Sequence, residues 1–385
     1  MSAISPSIAS KLALLSYQSE QYKKGQEFTI SPEIRKHFDF NLTDGIIQGT
    51  SGGLFWRKQT GFVLLGKGKS QQYKNDHVIA IRGTANKADG VTDISSHTTG
   101  SDSGSTVHIG FQRSFASFKP ELASYLRQVK TSGSGIIHCV GHSLGGALAG
   151  LTADWIKARS EFKGKVYLYT FGAPRVGRNG FATATTGRVD KIFRCVHGAD
   201  PVPKVPIWPF YHAPITGEEY LLERTQDIRL SAHSMTSGPG YVNTANHHSW
   251  DNIYDQTVPN LRKRVVLNYQ NRLQTTWSAG WADKIGAAIV TLLVDGGFAA
   301  TVGMLQTGGA IIGTVYDIMA KSVASIAKMS AGLQERVKGL LGCMLVYAGK
   351  GANYAIKYTE QFIRWVFNIT IARIYDAARQ ALKQQ

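Results

Sequence analysis

The chain has 385 residues, 43 Lys and Arg against 26 Asp and Glu, and a formal net charge of +17 with histidines neutral. A hydrophobic fraction of 43% with 18% charged residues excludes a disordered chain, and 41 glycines without a repeating period exclude a collagen-like one. Such a length assures a sizeable core, as one large domain with an appendage or as two domains.

At the N-terminus the first lysine, Lys11, falls where a secretory signal would need an uninterrupted apolar run, so no cleavable signal is expected. The protein is expected to be cytoplasmic in its producer and to leave, if it does, by a signal-independent route. From there to about residue 265, short apolar, β-branched-rich runs alternate with amphipathic stretches, the pattern of an α/β sheet with crossover helices. Strands are predicted at 61–65, 77–82, 135–140, 165–170 and 191–196, with helical spacing at 115–129 and 147–159. Three cysteines, Cys139, Cys195 and Cys343, cannot all pair; the first two lie in apolar runs and read as core thiols.

The character changes near residue 266, so the predicted organisation is a catalytic α/β domain at 1–265 and a helical C-terminal module at 266–385. Residues 285–316 carry one charge, Asp295, and include Gly309 and Gly313 at GxxxG spacing. They read either as helices buried against the rest of the protein or as a membrane-inserting segment, with 296–316 long enough to span alone. Residues 321–383 hold 10 Lys and Arg against 3 Asp and Glu on segments that read as amphipathic helices. Residues 342–349 are too short to cross a membrane and read as core.

Gly141-His142-Ser143-Leu144-Gly145 fits G-x-S-x-G, a sharp strand-to-helix turn that lifts a serine hydroxyl above a sheet edge. An apolar run precedes it and the small-residue stretch Gly145 to Gly150 follows, which lets strand and helix backbones approach closely. A serine hydroxyl needs a base to take its proton and a third group to orient that base, in the chain order Ser, Asp or Glu, His. Asp200, just after the run 191–196, is the expected acid. His247 and His248 supply the base, with His248 favoured, while His212 and His233 are poorer candidates. The backbone N–H of Leu144 is expected as one oxyanion donor, and Thr84, after Arg82-Gly83, as the other.

These motifs together resemble the class 3 (fungal-type) lipase family of the α/β-hydrolase fold, over about residues 8–258. Val78 to Thr84 is similar to the family's oxyanion strand and loop, with Asp93 where its members brace the oxyanion hydroxyl. Val107 to Phe111 is similar to the segment after the lid, and Thr170-Phe171-Gly172-Ala173-Pro174-Arg175-Val176-Gly177 to the stretch after the next strand. Asp200-Pro201-Val202-Pro203 resembles the acid motif. His248-Ser249-Trp250 is similar to a histidine-serine-methionine form; His233-Ser234-Met235 spells that form literally but lacks the Asp-Asn-x-Tyr that follows His248 at Asp251 to Tyr254. The resemblance implies an α/β-hydrolase fold with an α-helical C-terminal extension, Ser143, Asp200 and His248 as nucleophile, acid and base, and Thr84 and Leu144 as oxyanion donors. It implies a lipid esterase using neither cofactor nor metal, with phospholipid favoured over triacylglycerol. The segment 85–106, where a lid should lie, is polar, so activation by an apolar lid is not expected.

The basic balance suits an anionic membrane surface better than nucleic acid, for which no motif is present. A basic, apolar extension on a lipase-like chain also resembles secreted bacterial lipase effectors, which implies an immunity or chaperone protein as partner. The competing expectation is a membrane-perturbing protein whose hydrolase fold is vestigial.

Overall fold

The strands at the centre of the chain carry apolar side chains on both faces, and this decides the architecture. In the computed structural model, which describes residues 2–20, 28–40, 45–51, 58–83, 97–131, 135–246, 249–255, 263–307 and 315–384, these strands form a mixed sheet covered on both sides. In chain order the described strands are β1 (Phe38–Phe40), β2 (Ile46–Ser51), β3 (Lys58–Gly68), β4 (His77–Ile81), β5 (Thr98–Gly100), β6 (Thr106–His108), β7 (Ile136–His142), β8 (Lys165–Phe171), β9 (Gly177–Arg178), β10 (Lys191–His197), β11 (Phe210–Tyr211), β12 (Glu219–Glu223) and β13 (Tyr254–Asp255). The main sheet runs β1-β3-β4-β7-β8-β10-β12-β13, with β2 also on β3. Its core from β4 to β12 is parallel and its flanking pairs are antiparallel.

Successive side chains of a strand face opposite ways, so each central strand feeds two cores. Ile79, Ile81, Ile137, Cys139, Val166 and Leu168 point to one face, where α2 (Ile109–Thr131) and α3 (Leu144–Arg159) pack. Val78, Ala80, Ile136, Val140, Tyr167, Tyr169 and Phe171 point to the other, under α1 (Pro6–Leu15). All three cysteines are free and buried.

The predicted strands and helices all form, and the expected α/β-hydrolase sheet is what they build. The polar segment 85–106 behaves differently from a lid helix where it is described. Residues 97–108 make a hairpin, β5 and β6, in a small sheet with β9 and β11. The hairpin is tied down by Ser103 donating to Asp154 and by Asp102 accepting from Lys119 and Gln112.

The tail forms α5 (Ala279–Asp295), α6 (Ala299–Thr307), α7 (Val315–Ile326), α8 (Ala331–Tyr347) and α9 (Glu360–Lys383), after α4 (Asn179–Arg188) in the sheet region. The run 285–316 is interrupted at Gly297, whose φ of +83° ends the helical path, and its apolar residues Ile285, Ile289, Leu292, Leu293 and Leu305 are buried. Among the described residues no helix is long and apolar enough to cross a membrane. Gly309 and Gly313 lie outside the described residues. The tail's core includes Trp208, Tyr211 and Ile215 from the sheet region, so the composition boundary near residue 265 is not a gap in packing.

Candidate active site

Ser143 stands between the end of β7 and the start of α3 with φ 59° and ψ −133°, the one non-glycine residue with positive φ among the described residues. Such a conformation costs on the order of 1–3 kcal/mol and persists only where the surroundings impose it. Here glycines make room. A Cβ on Gly141 would lie 2.2 Å from the Gly145 carbonyl oxygen, and one on Gly145 would lie 2.2 Å from that of Ile81. The helix start therefore presses against the end of β4, bringing Gly83 beside His142 and Gly145. Leu144 opens α3, so its N–H is one of those without an intrahelical acceptor. Thr84 and Asp93 lie outside the described residues; the strand end that leads into Thr84 is at the elbow.

The imidazole next to Ser143 is that of His233, where His248 was expected. His233 Nε2 is 2.9 Å from Ser143 Oγ, and its Nδ1 is 2.8 Å from Asp200 Oδ2. All three residues are at most 1% exposed. A carboxylate only accepts, so Nδ1 carries the proton and Nε2 accepts from the serine hydroxyl, the tautomer a general base needs. His233 ends a 3-10 turn, Leu230–His233, in the irregular stretch after β12. His247 and His248 lie outside the described residues, and the position they were expected to fill is taken. The residues after them are structural. Trp250 Nε1 donates to the Ile4 carbonyl at 2.7 Å, and β13 closes the sheet edge on β12.

Asp200 follows β10, as expected, and its carboxylate receives three hydrogen bonds. Oδ1 accepts from the Val202 N–H at 2.9 Å; Oδ2 accepts from His233 and from the Tyr241 hydroxyl at 2.7 Å. Burial and the Asp200 charge push the Tyr241 hydroxyl well above its ordinary value, so it remains a donor. Gly172 has φ +57°, and a Cβ there would lie 2.7 Å from Asp200 Oδ2 and 3.0 Å from His233 Nδ1. The glycine of the Thr170 to Gly177 motif thus leaves the space in which acid and base meet.

Two more buried imidazoles hold the backbone of the base. His197 Nδ1 donates to the Ala232 carbonyl at 2.6 Å and its ring stacks on Tyr241 at 3.9 Å. His142 Nε2 donates to the His233 carbonyl at 2.9 Å. Its Nδ1 must then accept, and the donor is the Tyr17 hydroxyl at 2.9 Å, which itself accepts from the Gly83 N–H. Burial, and then the neighbouring His233, hold His142 well below the ordinary imidazole value, so it stays neutral. Tyr17, His142, His197 and Tyr241 were not singled out from sequence; His142 lay in plain view inside the serine motif.

An alcohol, an imidazole and a carboxylate in bonding sequence at the C-terminal edge of a mostly parallel sheet define the α/β-hydrolase class. Within it, residues 78–210 match the family model described as Lipase (class 3). Relatives include "Secreted mono- and diacylglycerol lipase 1" of Fusarium solani, 31% identical over 39% of this chain and 45% of the relative. "Lipase" of Rhizomucor miehei is 40% identical over 31% and 33% of the two chains, and "Phospholipase A(1) DAD1, chloroplastic" of Arabidopsis thaliana is 27% identical over 46% and 45%. The chain thus spans less than half the length of these relatives. The crystal structure of a mono- and diacylglycerol lipase from Aspergillus oryzae aligns at TM-score 0.46 and 21% identity, over 62% of this chain and 93% of that one.

Proposed function

We propose that the protein hydrolyses carboxylic esters of lipids, as a phospholipase A or lipase at membrane surfaces, with Ser143, His233 and Asp200 as nucleophile, base and acid. The observation that carries this reading is the unbroken path from Ser143 Oγ through His233 to Asp200, with both contacts under 3 Å. Ser143 attacks the acyl carbonyl as His233 takes its proton; Asp200 stabilises the imidazolium, and the N–H of Leu144, with Thr84, holds the oxyanion. His233 then returns the proton to the departing alcohol, and water enters by the same route to release the fatty acid.

A basic tail supports action on an anionic bilayer, since each Lys or Arg near such a surface contributes about 1 kcal/mol. The phospholipid preference and the effector reading, with an immunity or chaperone partner, rest on that tail. The intact triad favours an enzyme over a vestigial fold.

The test is product analysis by mass spectrometry on anionic phospholipid vesicles and on triacylglycerol emulsions. Fatty acid with lysophospholipid is expected from the vesicles; diacylglycerol from phospholipid, or no fatty acid from either substrate, overturns the reading. His233→Asn should lower turnover by about 10^4-fold or more while His248→Asn retains it. The reverse pattern removes His233 from the role.

A further inference from the structure

Acid and base both sit on irregular segments, and loops are ordinarily the mobile part of a fold. Here each is backed by the same helix. Ile371, Ile374, Tyr375, Ala378, Ala381 and Leu382 form one face of α9, at helical spacing. Against that face pack Val202 and Val205, directly after Asp200, and Ile228 and Leu230, directly before His233. Val202, Val205, Ile374 and Ala378 are at most 2% exposed.

The tail grips the same two segments elsewhere. Asp283 of α5 accepts from Lys204 at 2.9 Å and from Arg175 at 3.2 Å, and Arg175 in turn donates to the carbonyls of Lys204 and Pro206. On the base side, the Ile228 N–H donates to the Trp277 carbonyl and the Ala279 N–H to that of Gln226. The Arg229 N–H then joins the two segments by donating to the Ala199 carbonyl at 3.0 Å.

We propose that the C-terminal extension is part of the catalytic unit, with Ile374, Ala378 and Leu382 of α9 as positioning residues that set the approach of Asp200 to His233. This rests on the triad assignment above. A reacting constellation must be held to within about 0.5 Å, and a misplacement of about 1 Å costs on the order of 100-fold in rate. One buried face shared by two loops adds to the hydrogen bonds from His142, His197 and Tyr241, and neither Asp200 nor His233 lies within a strand of the main sheet.

The experiment uses the full chain and compares Ile374→Ala with Ile363→Ala. Both remove the same atoms from buried positions on one helix, but Ile363 faces the tail's own core and neither loop. Ile374→Ala should lose about 10- to 100-fold in kcat with KM little changed, and its downfield His233 Nδ1 proton resonance should shift or broaden. Ile374→Val should recover most of the rate, while Ile363→Ala loses a similar amount of thermal stability and keeps kcat within about twofold. The rate of Ser143 labelling by a fluorophosphonate gives a substrate-independent reading. No labelling of the wild-type protein sinks the triad assignment. A labelled wild type with Ile374→Ala labelled equally fast, or with both alanine variants losing rate alike, sinks the positioning role alone.

Discussion

His142 donates from Nε2 to the carbonyl oxygen of His233, so the residue before Ser143 holds the backbone of the histidine that meets its hydroxyl. That single bond fixes the tautomer of His142 and makes Tyr17 its partner. Replacing Tyr17 with Phe leaves His142 Nδ1 and the Gly83 N–H without that partner, two losses on opposite sides of the elbow. Urea unfolding should show a loss of about 1–3 kcal/mol, and ester hydrolysis should slow about tenfold through a looser base.

Acid should unfold the protein through its buried histidines. Burial holds His138, His142 and His197 below the ordinary imidazole value and pushes His77 down to about 4. In the unfolded chain each takes a proton near pH 6.5, so below that pH the unfolded state binds more protons than the native one. The stability these groups supply is complete above about pH 6.5 and falls as the pH drops below it, by at most about 1.4 kcal/mol per pH unit for each histidine still neutral in the native state. Denaturant titrations across this range should show the slope, and His77→Gln should reduce it by close to one proton.

Among the described ion pairs, Asp283 is the carboxylate that meets both Arg175 and Lys204. Asp283→Ala leaves a guanidinium 5% exposed and facing Lys204 with no counter-charge. Breaking such a pair from one side should cost about 3 kcal/mol, read as a fall in thermal midpoint that added salt does not restore. Activity should fall with it, because Lys204 lies on the acid segment.

Gly145→Ala should abolish activity outright. Its Cβ would lie 2.2 Å from the Ile81 carbonyl oxygen and 2.6 Å from the Arg82 carbonyl carbon, both backbone atoms that cannot step aside. Either β4 moves from α3, opening the oxyanion side, or the elbow relaxes and Ser143 loses its positive φ. Fluorophosphonate labelling should vanish while circular dichroism retains most of the helical signal; Gly187→Ala, with open space around it, is the matched control.

The central sheet was legible because strands buried on both faces are long apolar runs, and Ser143 and Asp200 because glycine and proline around them mark the turns that place them. His233 was not, although His233-Ser234-Met235 spelled the expected form. The polar residues after His248 suggested a loop beside the site, whereas they anchor an edge, through Trp250 on Ile4 and β13 on β12. Tyr241 and His142 escaped because a phenol and an imidazole inside apolar sequence look like core until their partners are seen. The packing of α9 on the two loops leaves no local pattern, since its partners lie far away along the chain.

The cluster of Val202, Val205, Ile374 and Ala378 has an evolutionary corollary. The space it fills has a fixed volume, so enlarging one member must be met by trimming another. Among descendants of this gene, drift in the final helix should track drift beside the acid more closely than drift anywhere along the sheet. Grafting the tail onto another hydrolase without those two segments would transfer a helical bundle and leave behind its purchase on catalysis.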